Sequence, residues 1–559
     1  MKIIEEQRYA VAGGQSITAE FRNQHLLVAL GLGALSLTLY LSTMVRVHEG
    51  DALMYAYAVR QAPIQGLFHP NHLLYNVILR GNFTLWQFVG WHGDTLLPSQ
   101  FFNALTGAVG VALFSWILFG FIKNPWFVGA SAAGLAMSFS YWYHSVELAV
   151  HILPVLFVLL AFAIAVRYME RPTFVVAALL GIFTGLSVLF LQSNIFFILV
   201  AGTAILITNT DKLRQLGHGM LFLSMAGIPI SIGYLVLPCI FLDLCGVRPV
   251  LHWTMGYARL PGYGFSSNTW YYAALGWGRT IFGAVAVPKS VGDNIVRVLG
   301  RGQYALQLIP FTLALGLVVL VILTIRGFWK THGKITVVLL VWLISFGIFA
   351  VWWEPDNVKY WIPTLPPLLL LVGLACQQFW LRIRSNSVTR HLFQITIVAT
   401  LVLLGGTSYF GAIRPLLDSS RDLNRKLTED LNPYVTKSDL VLVPKNHYAF
   451  PAYLKFYTGK EATTLHYLAE KLLVNPNLNN TSSHESYIDV EYSNVLGRAG
   501  RVYVVNNGFE IPGWTADRQL VSREEAARIM SRYSLQQIIQ FSDGNILYEL
   551  KRSSNSQGE

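Results

Sequence analysis

Carboxylates are scarce in the apolar part of this chain, and where they occur they stand beside histidines and aromatics. The first group is His48-Glu49-Gly50-Asp51-Ala52-Leu53-Met54-Tyr55. Two acids separated by one glycine could supply a general base or hold a divalent metal. A solvated loop would have the same composition. The second group is His69-Pro70-Asn71-His72, followed by an apolar run to Trp91 that encloses Arg80. His69 and His72 are candidate substrate-positioning residues; hydrogen bonding is the favoured role and metal ligation the alternative. The third runs from Tyr141 to His151. Glu147 and His151 are four apart, which predicts one shared helix face. The fourth is Trp352-Trp353-Glu354-Pro355-Asp356-Asn357-Val358-Lys359-Tyr360. Lys359 could pair with a phosphate at headgroup depth, with Glu354 and Tyr360 beside it. A snorkelling lysine in an aromatic belt is the plainer reading. The fifth is a long basic stretch, about 243–305, in which Arg259 and Arg279 are candidate phosphate ligands.

These groups must be positioned by a membrane scaffold. Of the 559 residues, 53 % are hydrophobic and 13 % charged. Soluble domains carry roughly 25 % charge. That excludes a disordered chain, a coiled coil and an ordinary cytosolic enzyme. Three cysteines, Cys239, Cys245 and Cys376, build no disulfide framework, and there is no CxxC pair for zinc. Eleven apolar runs of spanning character begin near residues 26, 101, 126, 149, 174, 194, 218, 306, 335, 361 and 392. The predicted fold is an α-helical polytopic membrane protein of about 11 transmembrane helices with a C-terminal soluble α/β domain. The expected boundaries are a cytoplasmic segment 1–25, a transmembrane module 26–411 with outer loops 46–100 and 243–305, and an extracytoplasmic domain 412–559.

Sidedness follows from charge. The net charge is +11, which by itself invites a nucleic-acid reading. The links after the even-numbered runs hold 11 basic residues against two acids, Glu170 and Asp211. That is the positive-inside pattern, and it places the N-terminus in the cytoplasm. Of ten acids between residues 26 and 411, eight fall on the opposite side. None is near the middle of a run. This suits a reaction site at the outer interface better than an ion path. The tail shows strands at 439–444 and 501–506, a hairpin around Asp543-Gly544-Asn545, a capping box Ser522-Arg-Glu-Glu525 that opens a helix, and a polar loop over 475–483.

The acid loop after the first run, the two interfacial helices at about 60–91, Glu147 between runs three and four, and Lys359-Tyr360 followed by Pro363 and Pro366 together resemble the GT-C class of integral-membrane glycosyltransferases. The nearest likeness is to the protein mannosyltransferase and aminoarabinose transferase group, which uses polyprenyl-phosphate sugars. It extends over about residues 20–415. The resemblance implies sugar transfer from a polyprenyl-phosphate donor to a glycan, lipid or protein acceptor at the outer or lumenal face, with inversion at the anomeric carbon. It implies catalytic roles for Asp51, Glu49 and Glu147. Lys359, Arg259 and Arg279 would receive the leaving phosphate; Tyr55, His69, His72, His151, Glu354 and Tyr360 would position substrate. The motif here is Glu-x-Asp rather than Asp-x-Asp, so no cofactor is required by it, with a divalent metal at Glu49 and Asp51 as an option. The implied location is a bacterial inner or plasma membrane. A transporter of a lipid-linked or anionic substrate, and a non-catalytic assembly subunit, are the competing classes.

Overall fold

The computed structural model describes residues 19–208, 210–256, 265, 269–283, 302–444, 449–464, 468, 484–506, 528 and 531–552. Each expected apolar run falls on helix. In chain order these are α1 (Ala19–Ser42), two short helices α2 (Gly50–Gln61) and α3 (Tyr75–Phe88), then α4 (Leu96–Phe119), α5 (Pro125–Met137) and α6 (Phe139–Val146). There follow α7 (Ile152–Glu170), α8 (Phe174–Phe190), α9 (Phe197–Leu206), α10 (Lys212–Ser231), α11 (Leu237–Leu242), α12 (Val247–Met255) and α13 (Thr269–Phe282). The last long ones are α14 (Gly302–Trp353), α15 (Leu365–Arg382) and α16 (Ser387–Ser408). Among the described residues, seven helical stretches are long and apolar enough to cross a membrane, and three more are shorter but apolar.

The outward faces agree with lipid rather than water. On α16, Leu392, Ile395 and Val402 are 58 %, 63 % and 68 % exposed. A row of such side chains on a soluble surface would be an aggregation site. Inside, helices approach closely through small residues. A Cβ on Gly181 or Gly185 of α8 would lie 2.4 or 2.5 Å from the carbonyl oxygens of Phe222 and Ala226 on α10. This is the small-xxx-small contact by which membrane helices pack backbone to backbone.

Two details go beyond the expectation. Runs eight and nine are two helices, numbered together as α14, that meet at a kink inside the basic link, at His332 (φ −131°, ψ 30°). Lys and Arg are good helix formers, and one residue outside helical values is enough to break the rod. The interfacial helices also begin earlier than expected: α2 starts at Gly50, not near residue 60.

Beyond the last span come α17 (Leu423–Leu431), α18 (Phe450–Thr458) and α19 (His484–Gly497). They accompany a five-stranded sheet of β1 (Leu440–Leu442), β2 (Glu461–Thr463), β3 (Val502–Val505), β4 (Tyr533–Gln540) and β5 (Ile546–Arg552), in the order β2-β1-β3-β5-β4. β1 pairs in parallel with β2 and β3, and β5 antiparallel with β3 and β4. The expected strands and the 541–546 hairpin turn are present. The expected helix from Ser522 and the loop at 475–483 lie outside the described residues. Cys239 and Cys245 form one disulfide at the end of α11.

Leucine at Gly181 or Gly185 should force α8 from α10, at a cost of roughly 1–3 kcal/mol. Purified variants should melt at lower temperature than wild type, whereas Gly202→Leu, whose Cβ would meet nothing within 4 Å, should not. Equal melting of all three would remove this contact from the packing argument.

Candidate active site

The acid loop is built on the start of α2. Gly50 opens the helix, Glu49 is its N-cap residue, and Asp51 stands in the first turn. The amide dipoles of a helix start favour a carboxylate there. Asp51 keeps its side chain 63 % exposed, and Lys359 Nζ lies 3.5 Å from its Oδ2. These two groups are 308 residues apart in the chain. Lys359 is held by its own turn: Asn357 Oδ1 accepts from the Lys359 amide at 3.3 Å, and Glu354 accepts from the Asn357 amide group at 2.6 Å. Ser140 and Thr280 donate to the Val358 carbonyl at 3.0 and 3.2 Å. Lys359 also lies 5.5 Å from the centre of the Tyr360 ring.

Glu147 was expected among the catalytic acids. It is 1 % exposed, and its oxygens accept from His48 Nδ1 at 2.9 Å, the Leu148 amide at 2.7 Å and the Glu49 amide at 3.3 Å. Glu147 and His151 do not share a helix face. α6 ends at Val146, Glu147 is extended (φ −104°, ψ 161°), and α7 begins at Ile152. The turn gives Glu147 to His48, and leaves His151 against His144 and Tyr360, ring centres 5.3 and 6.0 Å apart.

A set of imidazoles lines the same region. His69 stacks on His72 at 4.3 Å, and His72 meets Tyr55 edge-on at 4.9 Å. Among the described residues, neither ring nitrogen of buried His72 has a hydrogen-bond partner, nor does Nδ1 of His151. Burial pushes His69 down to about 4 and His72 well below its ordinary value. Both are therefore neutral near pH 7 and offer hydrogen bonds rather than charge. Burial raises the Glu49 carboxyl; Lys359 opposes this, while Glu147 and Asp51 add to it. Burial pulls His48 down, but the Glu147 carboxylate outweighs it and the net direction is upward.

Arg279 sits on α13, whose Gly276 abuts the Pro355 carbonyl and whose Thr280 bonds Val358. Its side chain is exposed. Arg259 lies outside the described residues. Among the described residues no three His, Cys, Asp or Glu side chains converge as metal ligands. Asp51 already faces an ammonium group. This set does not fit a divalent cation.

Sequence reasoning missed several supports. Gln100 Nε2 donates to the carbonyls of Val45 and Val146, both at 2.9 Å. Asn103 Nδ2 donates to those of Glu147 and Ala149, at 2.8 and 2.9 Å. Tyr75 donates to the Ala149 carbonyl at 2.9 Å. Gln100 and Asn103 are one helical turn apart on α4, and two buried amides at that spacing near a span's end were the available signal. Tyr453, 405 residues from His48, had none.

Solved structures match this architecture over nearly the whole chain. ArnT from Cupriavidus metallidurans bound to undecaprenyl phosphate matches with a TM-score of 0.51 at 12 % identity, covering 95 % of this chain and 98 % of that one. The apo form of ArnT matches with 0.51 at 11 %, covering 96 % and 98 %. The Archaeoglobus fulgidus oligosaccharyltransferase in complex with Zn and sulfate matches with 0.54 at 13 %, covering 94 % and 72 %. Neither a protein-family model nor a curated protein matches the sequence itself. The chain thus has the membrane fold of GT-C class glycosyltransferases. Within that class its architecture is ArnT-like, with a small C-terminal sheet domain.

The His48–Glu147 pair carries a pH signature. Because His48 is raised in the folded state, its contribution is full below its ordinary value of 6.5 and fades as pH rises through the raised value. His48→Gln should therefore lower the melting temperature more at about pH 5.5 than at about pH 9. A pH-independent difference would show that the pair is not ionic.

Proposed function

We propose that this protein transfers a sugar from a polyprenyl-phosphate donor to an acceptor at the outer face of the membrane. The carrying observation is the exposed Asp51 carboxylate 3.5 Å from Lys359, at the ends of apolar helices. A base for the acceptor and a cation for the leaving group stand side by side there, as this displacement needs. Support comes from the shared fold and from a neighbour that binds undecaprenyl phosphate. The Cys239–Cys245 bridge also supports it, because disulfides persist on the oxidising side of a membrane.

In this reading Asp51 takes the proton from an acceptor hydroxyl or amine as that atom attacks the anomeric carbon. The bond from that carbon to the phosphate oxygen breaks, and the phosphate departs with the electron pair. Lys359 meets the developing negative charge, with Arg279 as a second cation from α13. Glu354 and Tyr360 set the position of Lys359. Tyr55, His72 and His151 bond the sugar or phosphate through groups that have no protein partner or face the acid. Glu49 lies beside Asp51 as a second carboxyl. Glu147 and His48 fix the loop. The N-terminus is cytoplasmic and the sheet domain extracytoplasmic. The domains divide as 1–25, 26–411 and 412–559, and the host is a bacterial inner or plasma membrane.

The test uses purified protein in lipid with a panel of radiolabelled polyprenyl-phosphate sugars and crude membrane acceptors. One donor should be turned over, and Asp51→Asn should slow that turnover by about 100-fold to 10,000-fold with donor binding retained. Lys359→Met should weaken both binding and turnover. Near-normal turnover by Asp51→Asn would remove Asp51 from the chemistry. Concentration of substrate inside sealed vesicles without turnover would favour a transporter.

A further inference from the structure

The chain leading into Asp51 is held mostly from the far end of the sequence. The Arg46 and Val47 amides both donate to the Leu416 carbonyl, at 2.8 and 3.0 Å. The His48 amide donates to the Tyr453 hydroxyl at 2.9 Å, and that hydroxyl donates back to the His48 carbonyl at 2.9 Å. The next amide, Glu49, is held by Glu147. Arg46 and Val47 thus rest on the end of the last apolar helical stretch, Ser387–Leu416, and His48 rests on the domain beyond it.

The helix that carries Tyr453 has two working faces. Phe450 and Leu454 are buried in the sheet domain's own core, with Leu427, Val441 and Tyr503. Ala452, Tyr453 and Phe456 are buried in a different cluster, with Ala52, Leu53, Ala56 and Val59 of α2. The spacing of four in one set and the one- and three-residue offsets in the other are what a helix needs to serve two neighbours. Contact with α2 is close at its first residue. A Cβ on Gly50 would lie 3.0 Å from Cα of Ala449. Lys455 Nζ stands 5.3 Å from the centre of the Tyr57 ring at the edge of the same contact.

We propose that Tyr453 is a positioning residue for the transfer reaction, and that α18 couples the soluble domain to the Glu49–Asp51 loop. The domain then acts as the clamp that sets where the base stands. A ligand or partner that shifts α18 shifts the base with it. This rests on the transferase reading for its catalytic consequence, but the clamp itself is a structural claim with its own readout.

The experiment uses the full-length protein in lipid. Tyr453→Phe keeps the ring in its packed place and removes both bonds to His48. Amide hydrogen exchange over residues 46–50 should speed up by about tenfold, as expected for two lost neutral hydrogen bonds. The kcat should fall by about tenfold for the same reason, with KM for the donor unchanged. Lys455→Met touches the same contact but not His48, and should leave both readouts at wild-type values. Unchanged exchange in Tyr453→Phe overturns the clamp. Faster exchange with normal kcat overturns its link to chemistry, and a raised KM with normal kcat reassigns Tyr453 to donor binding. An equal effect from Lys455→Met would mean general undocking and overturn the particular role of Tyr453. A wild type that turns over no donor overturns the transferase reading instead, and the exchange comparison still decides the clamp.

Discussion

The site depends on bringing one exposed carboxylate and one ammonium together at the edge of an apolar bundle. Asp51 and Lys359 belong to turns contributed by opposite parts of the helical module. Asp51 is 63 % exposed and Lys359 only 20 %, so the pair is partly screened by solvent. The turns that carry it are also held by other means. The Lys359 turn is fixed by Ser140, Thr280 and its own Asn357. The Asp51 turn is fixed by Glu147, Gln100, Leu416 and Tyr453. The pair thus stands between two turns that are each held independently of it.

Glu147 shows the opposite use of a carboxylate. Burying an ion without partners would cost several kcal/mol. Here three donors converge on it, and one is an imidazole that its charge helps keep protonated. Asn103 meanwhile donates to the Glu147 carbonyl and, together with Tyr75, to that of Ala149. The two acids therefore divide into an exposed one beside an ammonium group and a buried one held by three donors. Removing Asn103 would take this donor from the Glu147 carbonyl and leave Tyr75 alone on that of Ala149.

Much of this was legible because it is local. Apolar runs, the basic links between them, and the β-branched strands at 440–442 and 502–505 follow from periodicity and composition. The clustering of acids near Glu49, Glu147 and Glu354 was readable because charge in such a chain is rare. What was not legible depends on partners distant in sequence. The Glu147–His151 spacing fits a helix, but the chain turns there because His48, Leu148 and Glu49 offer Glu147 better partners than a helix face does. The link at 326–334 reads as a break by charge; the break is confined to His332, because the residues around it are helix formers. The neutral character of His69 and His72 comes from burial, which no spacing reveals.

The pairing of rigid and open groups also explains why the soluble domain is docked rather than tethered. A domain that merely followed the last span would need a linker and no contact with α2. Instead, its helix α18 places small residues, Ala449 and Ala452, against Gly50 and Ala52, so the two backbones approach closely. Close backbone approach leaves little room for sliding. One tyrosine then closes both hydrogen-bonding groups of His48. The loop beside Asp51 has no side-chain cap bond at Glu49, its N-cap residue. It is held instead from two sides, by Glu147, Gln100 and Leu416 of the helical module and by Tyr453 of the C-terminal domain.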